Sequence, residues 1–211
     1  MDLGINGRKA IVCASSRGLG KACAISLARN GVHVTLNARD ENVLATTAEE
    51  IRRLAPNIDV ITVAGNVSDP QCQQALLDAT PGADILINNN GGPPFRDFRE
   101  LDRKAMTEGI TMNMITPIEM INGVIDDMSA RGFGRIVNIT SISVKKPVLG
   151  LDLSSGARAG LTAFLAGVCR SVAHNNVTIN NILPGPFDTE RLRANVRVAA
   201  ENARIGEEEM A

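Results

Sequence analysis

The sequence feature that most restricts the fold of this chain is a regular alternation of short apolar runs with longer amphipathic stretches. Apolar runs without a polar face are typical of strands that are covered on both sides of a sheet. Six runs predict strands, at residues 9–14, 32–37, 58–64, 84–88, 135–140 and 177–183. Five amphipathic stretches predict helices, at residues 19–29, 41–54, 71–79, 102–128 and 156–174. This order predicts an α/β fold: a doubly wound parallel sheet with right-handed crossovers and helices on both faces.

Length, charge and cysteine usage narrow the class of protein. The 211 residues fit one domain spanning 1–211, and the net charge of −1 lacks the basic excess typical of nucleic-acid-binding proteins. No apolar run is as long as a membrane-spanning helix, and the N-terminus has no apolar signal-peptide core. Scattered cysteines without metal-ligand spacing predict reduced thiols, no metal site and a cytoplasmic protein. These cysteines are Cys13, Cys23, Cys72 and Cys169.

The first predicted strand runs directly into a turn that carries two glycines and opens the first helix. The turn reads Cys13-Ala14-Ser15-Ser16-Arg17-Gly18-Leu19-Gly20. Glycine lets the backbone turn tightly and approach a pyrophosphate, and the helix N-terminus adds unpaired N–H groups and a positive dipole end. The turn therefore predicts a dinucleotide site, although an ordinary strand-to-helix turn is the alternative. The predicted binding residues are Ser15, Ser16, Arg17, Gly18, Leu19 and Gly20.

Five motifs in order make the sequence similar to the short-chain dehydrogenase/reductase family over residues 7–191. They are the turn at 11–20, with Cys13 and Ala14 replacing Thr and the first Gly; Asn88-Asn89-Asn90-Gly91; Asn113; Asn138-Ile139-Thr140-Ser141; and the segment 180–189. The branch that this chain most resembles is the one of 3-oxoacyl-acyl-carrier-protein reductases. The resemblance implies a Rossmann-type fold and an oxidoreductase that moves hydride between a nicotinamide and a carbonyl or secondary alcohol, with an acyl thioester as one substrate type.

The end of the second predicted strand bears on the choice of cofactor. Sites that prefer NAD usually place an acid there to bind the ribose 2′-hydroxyl, but this strand ends Leu36-Asn37-Ala38-Arg39. Arg39, together with Arg17, is suited to a 2′-phosphate because guanidinium groups bind phosphate in a forked geometry. The sequence therefore predicts NADP(H) in preference to NAD(H). The alternative is that both arginines are merely solvated.

The resemblance also implies further contacts to the cofactor. Asn66 and Val67 stand where the family places Asp-Val against the adenine, and the amide of Asn66 can still donate and accept. The remaining implied contacts come from the loops after later strands and from one helix. They are Asn88, Asn90, Gly91, Arg158, Pro184, Gly185 and Thr189.

The catalytic positions are where the chain departs from the family. The resemblance implies a serine that binds the substrate oxygen, here Ser141, and an asparagine that anchors a relay water, here Asn113. It also implies a tyrosine acid and a lysine four residues later, but the chain contains no tyrosine, and these positions fall on Ser154 and Arg158. A serine hydroxyl is a much weaker acid than a phenol, and arginine cannot shuttle protons. Losing general acid catalysis is expected to cost about 10²–10⁴-fold in rate.

Two functions of different classes remain open on the sequence. The first is an NADP(H)-dependent enzyme with an altered proton path, acting on a small carbonyl compound or acyl thioester. The second is a catalytically silent NADP(H)-binding protein that acts in sensing or assembly. The resemblance implies a homodimer or homotetramer, since members of the family commonly pair through the two long helices, predicted here at 102–128 and 156–174. Residues 190–211 read as a charged helix-like stretch, so we expect the family's lid and last strand to be absent.

Overall fold

The computed structural model describes residues 2–189 and, beyond them, Leu192, Arg193, Arg197 and Gly206. Its strands are β1 (Lys9–Val12), β2 (His33–Ala38), β3 (Val60–Ala64), β4 (Ile85–Asn88), β5 (Gly134–Ile139) and β6 (Val177–Ile182). Its α-helices are α1 (Gly18–Arg29), α2 (Glu41–Leu54), α3 (Pro70–Ala79), α4 (Arg103–Ile110), α5 (Thr116–Ala130) and α6 (Asp152–Val172). The strands alternate with helices, as the apolar pattern predicts.

All six strands lie in one parallel sheet, in the order β3-β2-β1-β4-β5-β6. The central strand β1 has a neighbour on each side: Val12 lies beside Leu36 of β2 and beside Ile87 of β4. From β1 the chain adds β2 and β3 on one side of the sheet, and then crosses back to add β4, β5 and β6 on the other side of β1. The loops that follow β1 and β4 therefore diverge and leave a crevice at the carboxyl edge of the sheet, where ligands bind in open α/β sheets.

Each face of the sheet is covered by its own apolar cluster. Ile11 of β1 packs in one cluster with Met120, Leu161 and other residues of α3, α5 and α6. Its neighbour Val12 packs in the other, with residues of α1 and α2 such as Leu44. Because successive side chains of a strand point to opposite faces, burial of both faces favours apolar residues at most strand positions. This preference accounts for the continuous apolar runs of the sequence.

The structure confirms the predicted fold class and corrects some element bounds. The single helix predicted at residues 102–128 is divided into α4 and α5 by a π-helical turn, Thr111–Ile115. The helix predicted from residue 156 begins earlier, at Asp152, so its first turns include both Ser154 and Arg158. The helix-like stretch predicted at 190–211 lies largely outside the described residues. No helix in the described part is both long and apolar enough to cross a bilayer.

Candidate active site

The turn after β1 has the backbone geometry that the glycine pattern predicts. Ala14 and Gly18 both have positive φ values, 45° and 54°, so the chain passes twice through the left-handed region. Gly20 faces the turn so closely that a Cβ there would lie 2.3 Å from the carbonyl oxygen of Ala14. The Asn89 side chain donates to that same oxygen at 3.1 Å, which ties the turn to the loop after β4.

One predicted cofactor residue of this turn has its side chain committed elsewhere. Ser15 is fully buried, and its Oγ accepts the Asn37 N–H at 3.0 Å. The Ser15 N–H in turn donates to the Asn37 carbonyl at 2.7 Å. The hydroxyl of Ser15 therefore fixes the turn to β2, and any contact to a cofactor comes from its backbone. The role of Asn37 in holding the turn was not predicted from the sequence. The one indication of it was a polar residue within an otherwise apolar strand.

An open cleft of about 1260 Å³ lies at the carboxyl edge of the sheet. It brings together most of the residues that the sequence assigns to cofactor and substrate. The loop after β6 reaches the glycine turn, since Thr189 Cγ2 lies 3.7 Å from where a Cβ on Gly18 would be. The predicted residues that line the cleft are Ser16, Arg17, Gly18, Leu19, Asn90, Gly91, Ser141, Ser154, Arg158, Pro184, Gly185 and Thr189.

Several predicted cofactor residues lie outside the lining of this cleft. Val67 is buried in the apolar core, and the exposed Asn66 uses its Oδ1 to accept the Ser68 N–H at 3.1 Å. Arg39 is exposed at the end of β2. The neighbouring Asp40 caps α2 by accepting the Val43 N–H at 3.1 Å, so the acid nearest to the tip of β2 is engaged as a helix cap.

A row of asparagines crosses the three strands beneath the cleft. Asn88, Asn138 and Asn181 are register partners on β4, β5 and β6. The Asn88 amide donates to Asn138 Oδ1 at 2.9 Å, and the Asn138 amide donates to Asn181 Oδ1 at 3.1 Å. Asn88 also donates to the Pro117 carbonyl at 3.2 Å, which links the row to α5. The side chain of Asn88, a predicted cofactor residue, is therefore part of the sheet's polar interior.

Ser154 and Arg158 meet on the first turns of α6. They are one helical turn apart, and both are more than nine-tenths buried. The Arg158 Nε donates to Ser154 Oγ at 3.2 Å, and its Nη1 donates to the carbonyl of Ile139, the last residue of β5, at 2.8 Å. The guanidinium is thereby held at the floor of the cleft, beside the strand that leads to Ser141.

Ser141 follows β5 and lies at the wall of the cleft with an extended backbone. Its Oγ accepts the Ser143 N–H at 3.1 Å. A hydroxyl has one donor and two acceptor positions, so this bond leaves its proton available for another oxygen. The bond also fixes the direction of the side chain.

Asn113 lies in the π-helical turn between α4 and α5, below the cleft. π-turns inside α-helices are frequent at functional sites. Asn113 and Thr116 line a cavity of about 20 Å³, whose wall also includes Arg158. Within the described part of the chain, the buried Asn113 Oδ1 and Thr116 Oγ1 have no hydrogen-bonding partner. A cavity of this size, lined by two residues with unpaired polar atoms, is suited to hold one water molecule.

The charged groups among the described lining of the cleft are mostly basic. They are Arg17, Lys21, Arg158, Asp188 and Arg193. The hydrogen bonds from Arg193 lower the pKa of the Asp188 carboxyl from its ordinary value, which keeps this one acid ionised. Below the cleft, burial raises the pKa of the Cys13 thiol to about 12, so Cys13 stays neutral near pH 7.

The family of the chain follows from comparison with known proteins. The family model described as short chain dehydrogenase matches residues 8–199. The chain belongs to the short-chain dehydrogenase family. The parallel sheet, the glycine turn and the cleft beside it are thus those of a short-chain dehydrogenase, which confirms the resemblance carried by the sequence motifs.

Named short-chain dehydrogenases and a solved structure are similar over most of this chain. An acetoacetyl-CoA reductase of Cupriavidus necator is 31% identical, over 89% of this chain and 77% of its own length. The 3-oxoacyl-(acyl-carrier-protein) reductase FabG of Vibrio cholerae is 27% identical, over 91% and 78%. The crystal structure of L-sorbose reductase from Gluconobacter frateurii, complexed with NADPH and L-sorbose, has a TM-score of 0.90 at 27% identity and covers 96% and 78%. The predicted NADP(H) agrees with the ligand of that structure.

The residues present fit a dinucleotide at the glycine turn. α1 begins after Arg17 without a side-chain cap, which leaves its first N–H groups to other acceptors. Gly18 and Gly20 keep Cβ atoms out of the approach to these groups, and Arg17 and Lys21 add positive charge. Such a helix start binds phosphate through its N–H groups and its dipole. The turn of this short-chain dehydrogenase thus retains what a pyrophosphate requires.

Proposed function

We propose that this protein is an NADP(H)-dependent oxidoreductase that interconverts a carbonyl compound and a secondary alcohol, with 3-oxoacyl thioesters as the first substrates to test. The observation that carries the proposal is the continuity of one cleft. At one end lies the glycine turn with Arg17 and Gly18, to which we assign the phosphates, and at the other lie Ser141 and Arg158. A silent nucleotide-binding protein has no need for an oriented hydroxyl at the second end.

The proposed cofactor contacts follow the cleft from the turn to α6. Ser16, Gly18 and Leu19 face the phosphates, and Asn90, Gly91, Pro184, Gly185 and Thr189 face the rest of the dinucleotide. The preference for NADP(H) is supported by the basic Arg17 and Arg39 and by the engagement of Asp40 as a helix cap. It is also supported by the NADPH in the similar L-sorbose reductase structure.

In the proposed chemistry, each polar group at the Ser141 end of the cleft has its own role. A bound nicotinamide supplies or accepts the hydride. Ser141 donates its free proton in a hydrogen bond to the substrate oxygen, which orients the carbonyl. Asn113 and Thr116 are suited to hold a water below the cleft that connects to the proton supply. The apolar wall beyond them, Phe95, Ile142, Val148 and Leu151, suits a substrate with an apolar body.

The test begins with binding and ends with turnover. Calorimetry should give a markedly lower Kd for NADPH than for NADH. Turnover of a panel that includes acetoacetyl and longer 3-oxoacyl thioesters should then be followed by NADPH absorbance. Replacing Ser141→Ala should lower kcat/KM by about 10²-fold or more, since it removes a hydrogen bond to the reacting oxygen. The exposed Ser171→Ala on α6 is the matched control and should leave the rate unchanged.

Equal Kd values for the two cofactors would remove the NADP(H) preference. NADPH binding without turnover on any carbonyl in the panel would instead favour a nucleotide-binding protein without catalysis. A rate that Ser141→Ala leaves unchanged would remove Ser141 from the proposed site.

Two further properties are part of the proposal. We place the protein in the cytoplasm, supported by its free cysteines, Cys13, Cys23, Cys72 and Cys169. We also propose a homodimer or homotetramer that forms through the surface of α4 and α6. Apolar side chains on these helices, including Ile110 and Phe164, are 40% and 49% exposed.

A further inference from the structure

The guanidinium of Arg158 is held in a fixed position at the floor of the cleft. Two of its nitrogens donate to neutral acceptors, Ser154 Oγ at 3.2 Å and the Ile139 carbonyl at 2.8 Å. These bonds set the plane of the group, and only 9% of the residue is exposed. Arg158 lines both the open cleft and the small cavity beneath it. A mostly buried positive charge is thus already held in place at the lining of the cleft before a substrate binds.

Among the described surroundings of Arg158, Lys21 is the cleft-lining side chain that could donate a proton, and its Nζ is engaged with Glu50 at 2.7 Å. Besides Arg158, the charged groups of the cleft lining are Arg17, Lys21, Arg193 and Asp188, and Asp188 is kept ionised by Arg193. On the cavity side, the titratable side chain is that of Cys13, whose pKa burial raises to about 12. The hydroxyls of Ser141 and Ser154 are about as weakly acidic as water, so neither is a stronger proton donor than the solvent itself. Among the described residues, the site therefore combines fixed positive charge with no uncommitted side chain that would donate a proton near pH 7.

We propose that Arg158 is a catalytic residue that stabilises the alkoxide by fixed charge and takes the part that an acidic side chain would otherwise play. This inference rests on the proposed function, because it needs a carbonyl substrate in the cleft. Ser141 donates a hydrogen bond to the same oxygen, and Ser154 acts as a positioning residue that holds the guanidinium. Fixed donors aimed at developing negative charge, in a site that excludes water, are commonly the largest single contribution to enzyme catalysis.

The proposed step balances without a protein acid. The carbonyl carbon accepts a hydride, with its electron pair, from reduced nicotinamide, which is left oxidised. The carbonyl π pair moves onto oxygen, and the resulting alkoxide is held by Arg158. Water then supplies the proton, and the hydroxide that remains is neutralised by solvent. Arginine keeps its charge through this sequence because a guanidinium does not lose its proton under these conditions.

A direct test of the oxyanion site uses 4-nitrophenol in the absence of any cofactor. Its phenolate is coloured, so absorbance gives the ionised fraction of the bound molecule. A fixed cation beside the bound oxygen should lower the apparent pKa of the bound phenol by about 1–2 units. The Arg158→Gln variant should abolish this shift, whereas the exposed Arg170→Gln on the same helix should keep it. A shift that persists in Arg158→Gln, or no shift in the wild type, overturns the proposal.

A second test uses the alkaline limb of the pH profile of kcat/KM. The wild-type rate should stay level up to about pH 10.5, since no group with a pKa between 7 and 10 supplies the proton. The Arg158→Lys variant keeps a cation but should lose activity as the lysine deprotonates, near or below its ordinary pKa of about 10.4. Arg158→Gln should lower kcat by about 10²–10³-fold at all pH values.

The outcomes separate this inference from the proposed function. Turnover with a wild-type alkaline limb near pH 8–9 would show a titrating acid and would defeat the role of Arg158 while leaving the oxidoreductase intact. Absence of turnover on every carbonyl tested defeats the proposed function, but the 4-nitrophenol titration still decides the oxyanion site. Because Arg158→Lys retains length and charge, it keeps the test valid even where Arg158→Gln fails to fold.

Discussion

Ala14 is a residue in a backbone conformation that suits glycine. Its φ of 45° lies in the left-handed region, where a Cβ crowds the following carbonyl oxygen. The turn keeps this conformation because Asn89 holds the Ala14 carbonyl and because Gly20 lies directly against it. The tertiary structure therefore imposes a local strain that the sequence itself does not relieve.

Replacing Ala14→Gly should stabilise the protein by about 1 kcal/mol, since glycine adopts positive φ without the steric cost. Urea unfolding followed by circular dichroism measures the change. The matched control is Ala22→Gly at an exposed position in α1, which should destabilise by about 1 kcal/mol because glycine weakens a helix. A loss of stability in both variants would show that the strain at Ala14 is negligible.

Thr116 and Asn113 are two polar residues that line the same water-sized cavity. Both residues are at most 3% exposed, and an unpaired buried polar atom costs free energy. We expect one water in the cavity to bond both atoms at once. Such a water would give a hydroxyl and an amide a role at the junction of the π-turn and α5.

The Thr116→Val variant should therefore lose the ordered water and about 1–2 kcal/mol of stability, because Asn113 Oδ1 is left without a partner. Thr116→Ser retains the hydroxyl and should retain both. A high-resolution crystal structure shows the water, and thermal unfolding gives the stability. The exposed Thr46→Val serves as the surface control, with a change within about 0.5 kcal/mol. Equal stability of the Val and Ser variants would contradict the shared-water explanation.

Individual site residues were predictable from the sequence to different degrees. The grouping of Gly18, Ser141 and Arg158 in one cleft follows from a general rule, because the carboxyl ends of parallel strands share one edge of the sheet. The inward turn of Ser15 depends on packing against β2, and the unpaired state of the Asn113 and Thr116 side-chain oxygens depends on what surrounds their helix. The spacing of polar and apolar residues does not show whether a hydroxyl is hydrogen-bonded inside the protein or accessible to a ligand.

At the scale of elements, the amino ends of β1, β4 and β5 are joined by one carboxylate. Asp84, just before β4, lies 3.2 Å from Arg8 and 3.6 Å from Arg131, and it accepts the Lys9 N–H at 3.1 Å. The guanidiniums of Arg8 and Arg135 lie 3.8 and 4.3 Å from the ring centre of Phe133. This cluster fastens the edge of the sheet opposite the cleft.

Replacing Asp84→Asn should destabilise the protein by about 1–3 kcal/mol, since the mostly buried carboxylate bonds two arginines and a backbone N–H. Chemical unfolding measures the loss. The control is Asp97→Asn, which removes an exposed pair with Arg99 and should change stability by less than about 1 kcal/mol. Similar losses at both sites would mean that burial does not strengthen the Asp84 contacts.

The elements themselves were well predicted where periodicity is strong. α2 has the predicted bounds, Glu41–Leu54, because its Asp40 cap and amphipathic face are both visible in the sequence. The π-turn at Thr111–Ile115 was not predictable, because one extra residue in a turn alters the apolar period too little to be seen. The early start of α6 at Asp152 also escaped prediction, since α6 has no side-chain N-cap to mark its beginning.

At the scale of the whole molecule, apolar surface on α4 and α6 bears on assembly. Ile110 and Phe164 are large apolar side chains exposed on two helices that contact each other. The double change Ile110→Glu and Phe164→Glu should convert the proposed oligomer to a monomer, because charge is costly in an apolar interface. Light scattering measures the mass. The control Leu54→Glu alters an exposed apolar residue on α2 and should leave the mass unchanged.

A wild-type mass equal to that of one chain at micromolar concentration would remove the proposed oligomer. An oligomer that survives the double change would place the interface elsewhere on the surface. The six described strands and both apolar clusters are formed by residues of one chain.

The strand order also determines a hazard during synthesis on the ribosome. β1, β2 and β3 emerge first, and they are already neighbours in the finished sheet. The other edge of β1 has no partner until β4, which is encoded roughly 70 residues later. At about 5–20 residues per second, that edge stays open for roughly 4–14 seconds in the nascent chain. An unpaired apolar strand invites pairing with other chains, so the nascent polypeptide is most exposed to misassociation during this interval.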